Sequence, residues 1–214
     1  FKACDVICAW GDSQATTVRA LAGPRVRVAV TGNPQWDAVA SRGLAPDSDR
    51  QQVRRSCAIQ LNLVEDDLWF VWLSQDLSRG VFPLVQQTVL GVPGTCLIVK
   101  VHPSENPETY AALVDPANEA RVRVTRAVPE LHDLLHAADV ALTFHSTTNI
   151  EALLLGTPVV TVVPKDLESL DRVIYLEKFG QPVATDEASL VRALREIVRV
   201  HSLDERALRE QARQ

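Results

Sequence analysis

ADVALTFHSTTNIEALLLGTPVVTV, residues 138–162, is the stretch on which the fold turns. Residues 140–144 are continuously apolar, residues 148–155 carry apolar side chains at helical spacing, and residues 159–163 are apolar again. Strands covered on both faces read in this unalternating way, whereas a strand with one wet face alternates. Strand, helix and strand in so short a span form a βαβ unit, whose two strands run parallel. The same texture continues outward. Further strands are expected at residues 5–9, 26–30, 69–73, 96–101 and 122–125, with a weaker one at 182–184. Helices are expected at 13–21, 51–61, 83–90, 107–113, 128–138 and 189–199. The chain therefore reads as α/β, a doubly wound parallel sheet with helices on both faces.

Punctuation divides it unevenly. Residues 41–49 (SRGLAPDSD) have no apolar period and hold the Gly, Pro, Ser and Asp of a linker. Residues 50–200 then supply about six βα units, enough for one Rossmann-like domain, and residues 201–214 read as a charged C-terminal helix, with His201 in a loop before it. Residues 1–40 hold too few strands for a core of their own and are expected to need a partner surface.

The 214 residues carry 22 Lys+Arg against 27 Asp+Glu, a formal net charge of −5. This mild acidity lacks the basic footprint of a nucleic-acid binder, so no nucleic-acid partner is expected. Apolar residues at 46% and charged residues at 23% exclude a disordered or fibrous chain. No run approaches the ~18 apolar residues of a membrane span, so no transmembrane segment is expected. Cys4, Cys8, Cys57 and Cys96 are scattered, which points to buried reduced thiols and a cytoplasmic setting. The chain contains no Met and begins with Phe1, so we expect an excised piece of a longer protein.

Chemistry is sought where such sheets bind ligands, at the carboxyl ends of strands beside the point where strand order reverses. Counting strands from residues 69–73 as the first, the common order 3-2-1-4-5-6 makes the second, first and fourth neighbours. Their exit loops begin at His102-Pro103, Ser74-Gln75 and His145-Ser146-Thr147-Thr148. The last passes into a helix through three consecutive hydroxyl residues, a donor-rich setting for an anion. Thr148-x-x-Glu151 also reads as a capping box, and the two roles can coexist. His102 sits between an apolar strand and a Pro, so its imidazole is held at the rim, able to donate to a phosphate or a base. Arg79, Lys100 and Lys165 could add positive charge, although each more commonly stays solvated. His132 and His136 stand i, i+4 on a helix but read as surface or helix-edge residues, and no metal site or other cofactor is expected. The sparse glycines make no Gly-x-Gly-x-x-Gly fingerprint, P-loop or Gly-x-Ser-x-Gly elbow.

VKVHP (residues 99–103) together with residues 138–162 resembles the C-terminal, nucleotide-donor-binding half of GT-B glycosyltransferases. The similarity points to the group of CDP-glycerol glycerophosphotransferases, capsule polysaccharide transferases and bacterial sialyltransferases, with UDP-N-acetylglucosamine 2-epimerase more distant. The resemblance implies that His102, Pro103 and the hydroxyls of Ser146, Thr147 and Thr148 contact the nucleotide, and the assumed strand order sets Ser74, Gln75 and His145 beside them. It also implies a catalytic contribution from His102 to departure of the leaving phosphate. Glu151 of the Glu-Ala-x-x-x-Gly-x-Pro segment would approach the donor ribose, in competition with capping. TGNPQWD, residues 31–37, is similar to the turn at the interdomain crossover, which places Gly32 and Asn33 there and makes residues 1–40 the tail of an acceptor-side domain. The implied partners are a nucleotide-activated sugar or polyol donor, a glycan or polysaccharide acceptor and a missing N-terminal domain, with a peripheral position at the inner face of a membrane. The implied activity is transfer of a sugar or polyol phosphate. The alternatives are a UDP-sugar 2-epimerase-like enzyme and a non-catalytic nucleotide-binding module.

Overall fold

The central apolar run, LWFVWL, becomes one of the two central strands of a six-stranded sheet. The computed structural model describes residues 4–144, 146–163 and 181–211, and for residues 76, 77 and 200–211 the backbone alone. It divides into two compact units, Phe1–Arg42 and Gly43–Gln214.

The first unit opens with β1 (Val6–Ala9), α1 (Asp12–Leu21) and β2 (Arg27–Val30), and its chain then enters α2 (Gln35–Gly43). β1 and β2 pair in parallel as a two-stranded sheet. The turn into α2 shows why TGNPQWD is written as it is. Gly32 takes φ +73°, and the Asn33 side chain accepts from the N–H of Gln35 at 3.2 Å. Trp10 and Trp36 meet edge to face at 4.9 Å. So small a sheet cannot cover both faces, and the burial expected for Cys4 and Cys8 fails: both are exposed, whereas Cys57 and Cys96 are buried.

The second unit begins with α3 (Asp47–Leu61), which only residues 44–46 separate from α2. There follow β3 (Leu68–Leu73), a 3-10 helix (Asp76–Val81), α4 (Phe82–Leu90), β4 (Thr95–Lys100), α5 (Pro107–Ala111) and a second 3-10 helix (Pro116–Arg121). Then come β5 (Val122–Thr125), α6 (Leu131–Ala137), β6 (Val140–Thr143), α7 (Thr148–Leu154), β7 (Val159–Val162), β8 (Val183–Ala184) and α8 (Glu187–Gln211). The sheet order is β5-β4-β3-β6-β7-β8, every pairing parallel. Counted from β3, this is the expected 3-2-1-4-5-6. Phe70, Trp72, Leu97, Val99, Leu142 and Val160 form the core on one sheet face with Phe82 and Val85 of α4 and Leu190 and Leu194 of α8. α3, α6 and α7 belong to the other face, with α6 against β3 and α7 against β6 and β7. The loop expected at His201 is absent, since α8 stays helical through it. No described helix is long and apolar enough to cross a membrane.

Arginines tie the amino edge of this sheet. Arg54 donates to the carbonyls of Glu65, Ala137 and Asp67 (2.9, 2.6 and 2.6 Å) and to Asp139 Oδ2 (3.1 Å), while lying 4.2 Å over the Trp69 ring. Arg121 likewise donates to the carbonyls of Thr95, Leu90 and Val92. A guanidinium fork satisfies several carbonyls left over where helices and strands end, which few other side chains can do. At the same edge, α7 ends in Gly156 at φ +80°, where a side chain would be strained, and Pro158 then leads into β7.

Candidate functional site

The register lines up Thr125, Lys100, Leu73, Thr143 and Thr161 as one row across the carboxyl ends of β5, β4, β3, β6 and β7. Strand order reverses between β3 and β6, so their exit loops splay apart and leave a crevice. A cavity of about 270 Å³ lies there. Its walls are Leu73 and Ser74 after β3, Lys100 to Pro103 after β4, Ser146 and Thr148 after β6, and Arg126, Ala127, Glu130 and Leu131 between β5 and α6.

Of the residues expected at the site, Ser74, His102, Pro103, Ser146 and Thr148 line this cavity; Gln75, Thr147 and Glu151 do not. His145 and Lys165 lie outside the described residues. The His102 ring accepts at Nδ1 from the N–H of Ser104 (3.2 Å), with Ser104 Oγ at 2.7 Å. A neutral imidazole that accepts at Nδ1 carries its proton on Nε2, so His102 offers a donor there. Ser146 Oγ accepts from the N–H of Thr148 (3.2 Å) and donates to Thr148 Oγ1 (3.0 Å). Thr148 therefore keeps its own hydroxyl proton for a ligand.

Three expectations need correction. The capping box Thr148-x-x-Glu151 does not form: Thr148 is already the first helical residue, and its N–H goes to Ser146. The Glu151 carboxylate turns instead to His132 Nε2 at 2.9 Å, because α6 packs against α7. Nor is Lys100 solvated. It is 9% exposed, and its ammonium donates to the carbonyls of Pro129 (2.5 Å) and Ala127 (3.3 Å). Burial lowers its pKa from 10.5, opposed in part by the charge of Glu130. Arg79 is half-exposed, 3.9 Å from Glu105. His136 is not a surface residue either; it is buried, with Asp49 Oδ2 3.6 Å from Nε2. His132 and His136 thus face different carboxylates, and no cluster of metal-ligating side chains occurs among the described residues. The Asp-x-Asp triplet Asp47-Ser48-Asp49 opens α3.

No protein-family model and no curated protein matches this chain. Solved structures do. The wall teichoic acid polymerase TagF superposes with a TM-score of 0.60 at 16% identity over 93% of this chain and 50% of that one. A TagF variant soaked with CDPG gives 0.61 at 16% identity, over 93% and 49%. MnaA of S. aureus, in a co-structure with UDP, gives 0.63 at 16% identity over 91% and 52%. The UDP-GlcNAc 2-epimerase of Neisseria meningitidis bound to UDP-GlcNAc gives 0.60 at 14% identity over 94% and 55%. The fold is that of one half of a GT-B-like structure. The chain spans about half the length of these GT-B-like proteins.

The GT-B-like rim contains groups that sequence reading passed over. Glu105 is buried and accepts from Ser74 Oγ (2.5 Å) and from the Tyr110 hydroxyl (3.2 Å), which in turn meets Ser78 Oγ at 3.2 Å. Burial raises the Tyr110 pKa above 10, against the hydrogen bonds from Ser78 and Ser74. A signal for Glu105 was present. Pro103-Ser104 are turn-centre residues, and the turn they form brings the Glu105 N–H to the His102 carbonyl at 2.9 Å. Arg126 and Glu130 carried no local signal, since only the β5–α6 connection brings them to the cavity.

Proposed function

We propose that this chain is the donor-nucleotide-binding part of a transferase that moves a sugar or polyol phosphate from a nucleotide-activated donor to a glycan or polysaccharide acceptor. The observation that carries the reading is the cavity at the switch point, walled by His102, Thr148, Lys100 and Arg126. Its chemistry suits an anion. Nε2–H of His102 and the hydroxyl of Thr148 are donors, and Lys100 keeps one N–H beyond the two given to carbonyls. Cations in a partly dry crevice focus positive potential on a phosphate. The reaction would then proceed by positioning and by stabilising the departing phosphate, with no covalent enzyme intermediate. The acceptor, the general base and the rest of the cleft belong, in this reading, to an N-terminal domain, and the site of action is the inner face of a membrane.

A UDP-sugar epimerase is the second reading, favoured by the equal likeness to the UDP-GlcNAc 2-epimerase of Neisseria meningitidis. It needs free acid and base carboxylates, and Glu105, the buried carboxylate at this rim, is held by Ser74 and Tyr110. A thermal-shift series with CMP, CDP, UDP and GDP tests both. Ligand at ten times its Kd stabilises the native state by about 1.4 kcal/mol. A cytidine nucleotide acting alone favours the transferase, and UDP acting alone favours the epimerase. Thr148→Ala and Lys100→Met should each remove most of the shift. Silence from all the nucleotides at millimolar concentration refutes nucleotide binding.

A further inference from the structure

We infer that Glu105 is a positioning residue of this cavity, acting through Ser74 to fix His102; the inference rests on the nucleotide-binding reading above. Glu105 touches neither the cavity nor a ligand position itself. Its side chain is 4% exposed, and its nearest cation, Arg79, stands 3.9 Å away and half in solvent. A carboxylate buried without a close ion pair is costly, and an apolar or amide side chain would fill the same space at lower cost. Its presence points to something only a carboxylate does.

That property is direction. An ionised carboxylate only accepts, so the single proton of Ser74 Oγ must point at Glu105 Oε2, where the contact is 2.5 Å. The lone pairs of Ser74 are thereby turned the other way, and one accepts the N–H of His102 at 2.9 Å. Tyr110 holds the second carboxylate oxygen at 3.2 Å, and Tyr110 is itself fully buried. His102 then has three tethers: its N–H to Ser74, its carbonyl to the N–H of Glu105, and its Nδ1 to Ser104. Two of the three pass through Glu105 or through the hydroxyl that Glu105 orients. The third leaves Nε2–H as the group that reaches a ligand. Glu105 thus couples the exit loop of β3 to that of β4, two connections that no backbone hydrogen bond beyond Ser74 N–H to the Lys100 carbonyl (3.1 Å) joins among the described residues.

The test uses the whole chain and two independent readouts. The first is hydrogen exchange of the His102 amide by NMR, which needs no ligand. The second is the affinity for CDP or UDP compared with that for the matching nucleoside. Glu105→Ala should speed exchange at His102 by about tenfold or more, while amides of Val71 and Ile98 in β3 and β4 stay protected. It should weaken the diphosphate about tenfold and leave the nucleoside unchanged. Glu105→Gln, whose amide can present either a donor or an acceptor to Ser74 Oγ, should restore only part of both. Glu105→Ala/Ser74→Ala should be no worse than the worse single variant, because both act on one path. Should Glu105→Ala fail to fold, Ser74→Ala carries the test, since it must release the His102 amide by the same factor. The inference is overturned by an unchanged His102 amide, by equal weakening of nucleotide and nucleoside, or by additive losses. A wild-type chain that binds neither CDP nor UDP refutes the nucleotide reading, and the His102 amide alone then decides the role of Glu105.

Discussion

Arg54→Ala is expected to cost about 3–5 kcal/mol of stability and to leave ligand affinity untouched. The guanidinium gives up three carbonyls, the Asp139 carboxylate at 3.1 Å and its stacking on Trp69 at 4.2 Å. Asp139 is only 8% exposed, and it keeps the Trp69 N–H at 2.7 Å and Arg50 at 3.8 Å. Removing one partner of such a buried pair sets the scale at about 3–5 kcal/mol. The carbonyls add less than about 1 kcal/mol each, because water enters the space the side chain leaves. Against a typical total of about 5–15 kcal/mol this is a large share. In urea, with a slope of about 2 kcal/mol per molar, the midpoint should fall by about 2 M at unchanged slope. Arg54→Lys keeps the charge but loses the fork and should fall between. The clamp sits at the amino edge and the cavity at the carboxyl edge, so nucleotide affinity well below the melting temperature should not move. A loss under about 1 kcal/mol, or a change in affinity at full folding, would refute the argument.

Other outcomes follow from particular contacts. A Cβ on Gly43 would lie 1.8 Å from the carbonyl oxygen of Leu154, a backbone atom that cannot swing aside, so Gly43→Ala should lose about 1–3 kcal/mol in thermal denaturation. Cys8 should react with a thiol reagent in the native chain, whereas Cys57 and Cys96 should react only on unfolding; equal rates would contradict their burial. Burial pushes the Cys96 thiol from 9.0 up to about 12, so its contribution to stability is complete below pH 9 and is lost as pH rises towards 12. Tyr110, also raised, adds to this alkaline loss, while Lys100, lowered, works in the opposite sense below 10.5. The urea midpoint of the wild type relative to Cys96→Ala should therefore fall between pH 9 and 12, and a constant difference would show that the thiol ionises freely.

The layers of the fold were legible because burial on both faces leaves its mark on composition. Phe70, Trp72, Leu142 and Val160 stand in runs without alternation, and those runs became β3, β6 and β7 in the expected order. Partners were less legible than elements. Thr148 and Glu151 have the spacing of a capping box, yet a histidine on the neighbouring helix α6 takes Glu151 and a serine two residues back takes the helix N–H. Cys8 sits in an apolar run, but its strand belongs to a sheet too narrow to cover it. Lys100 closes an apolar strand, and only the returning loop at residues 127–129 supplies the carbonyls that keep it inside. Spacing along a chain tells which face a residue occupies; what waits on that face is decided by segments far away in sequence.

The strand order also sets a schedule for assembly. β3 is the first strand of its sheet to be synthesised and lies at the centre, but its second edge stays unpaired until β6 arrives, with Phe70 beside Val140 some 70 residues later. LWFVWL has no charge and no proline, and such a window with a bare edge invites self-association while the chain is incomplete. Closing so distant a contact is slow compared with pairing β3 to β4. A growing chain that has reached β5 but not β6 is thus a sticky half-sheet. Shielding this strand during synthesis, by a chaperone or by slow release of the hexapeptide, should govern how much native protein a cell recovers.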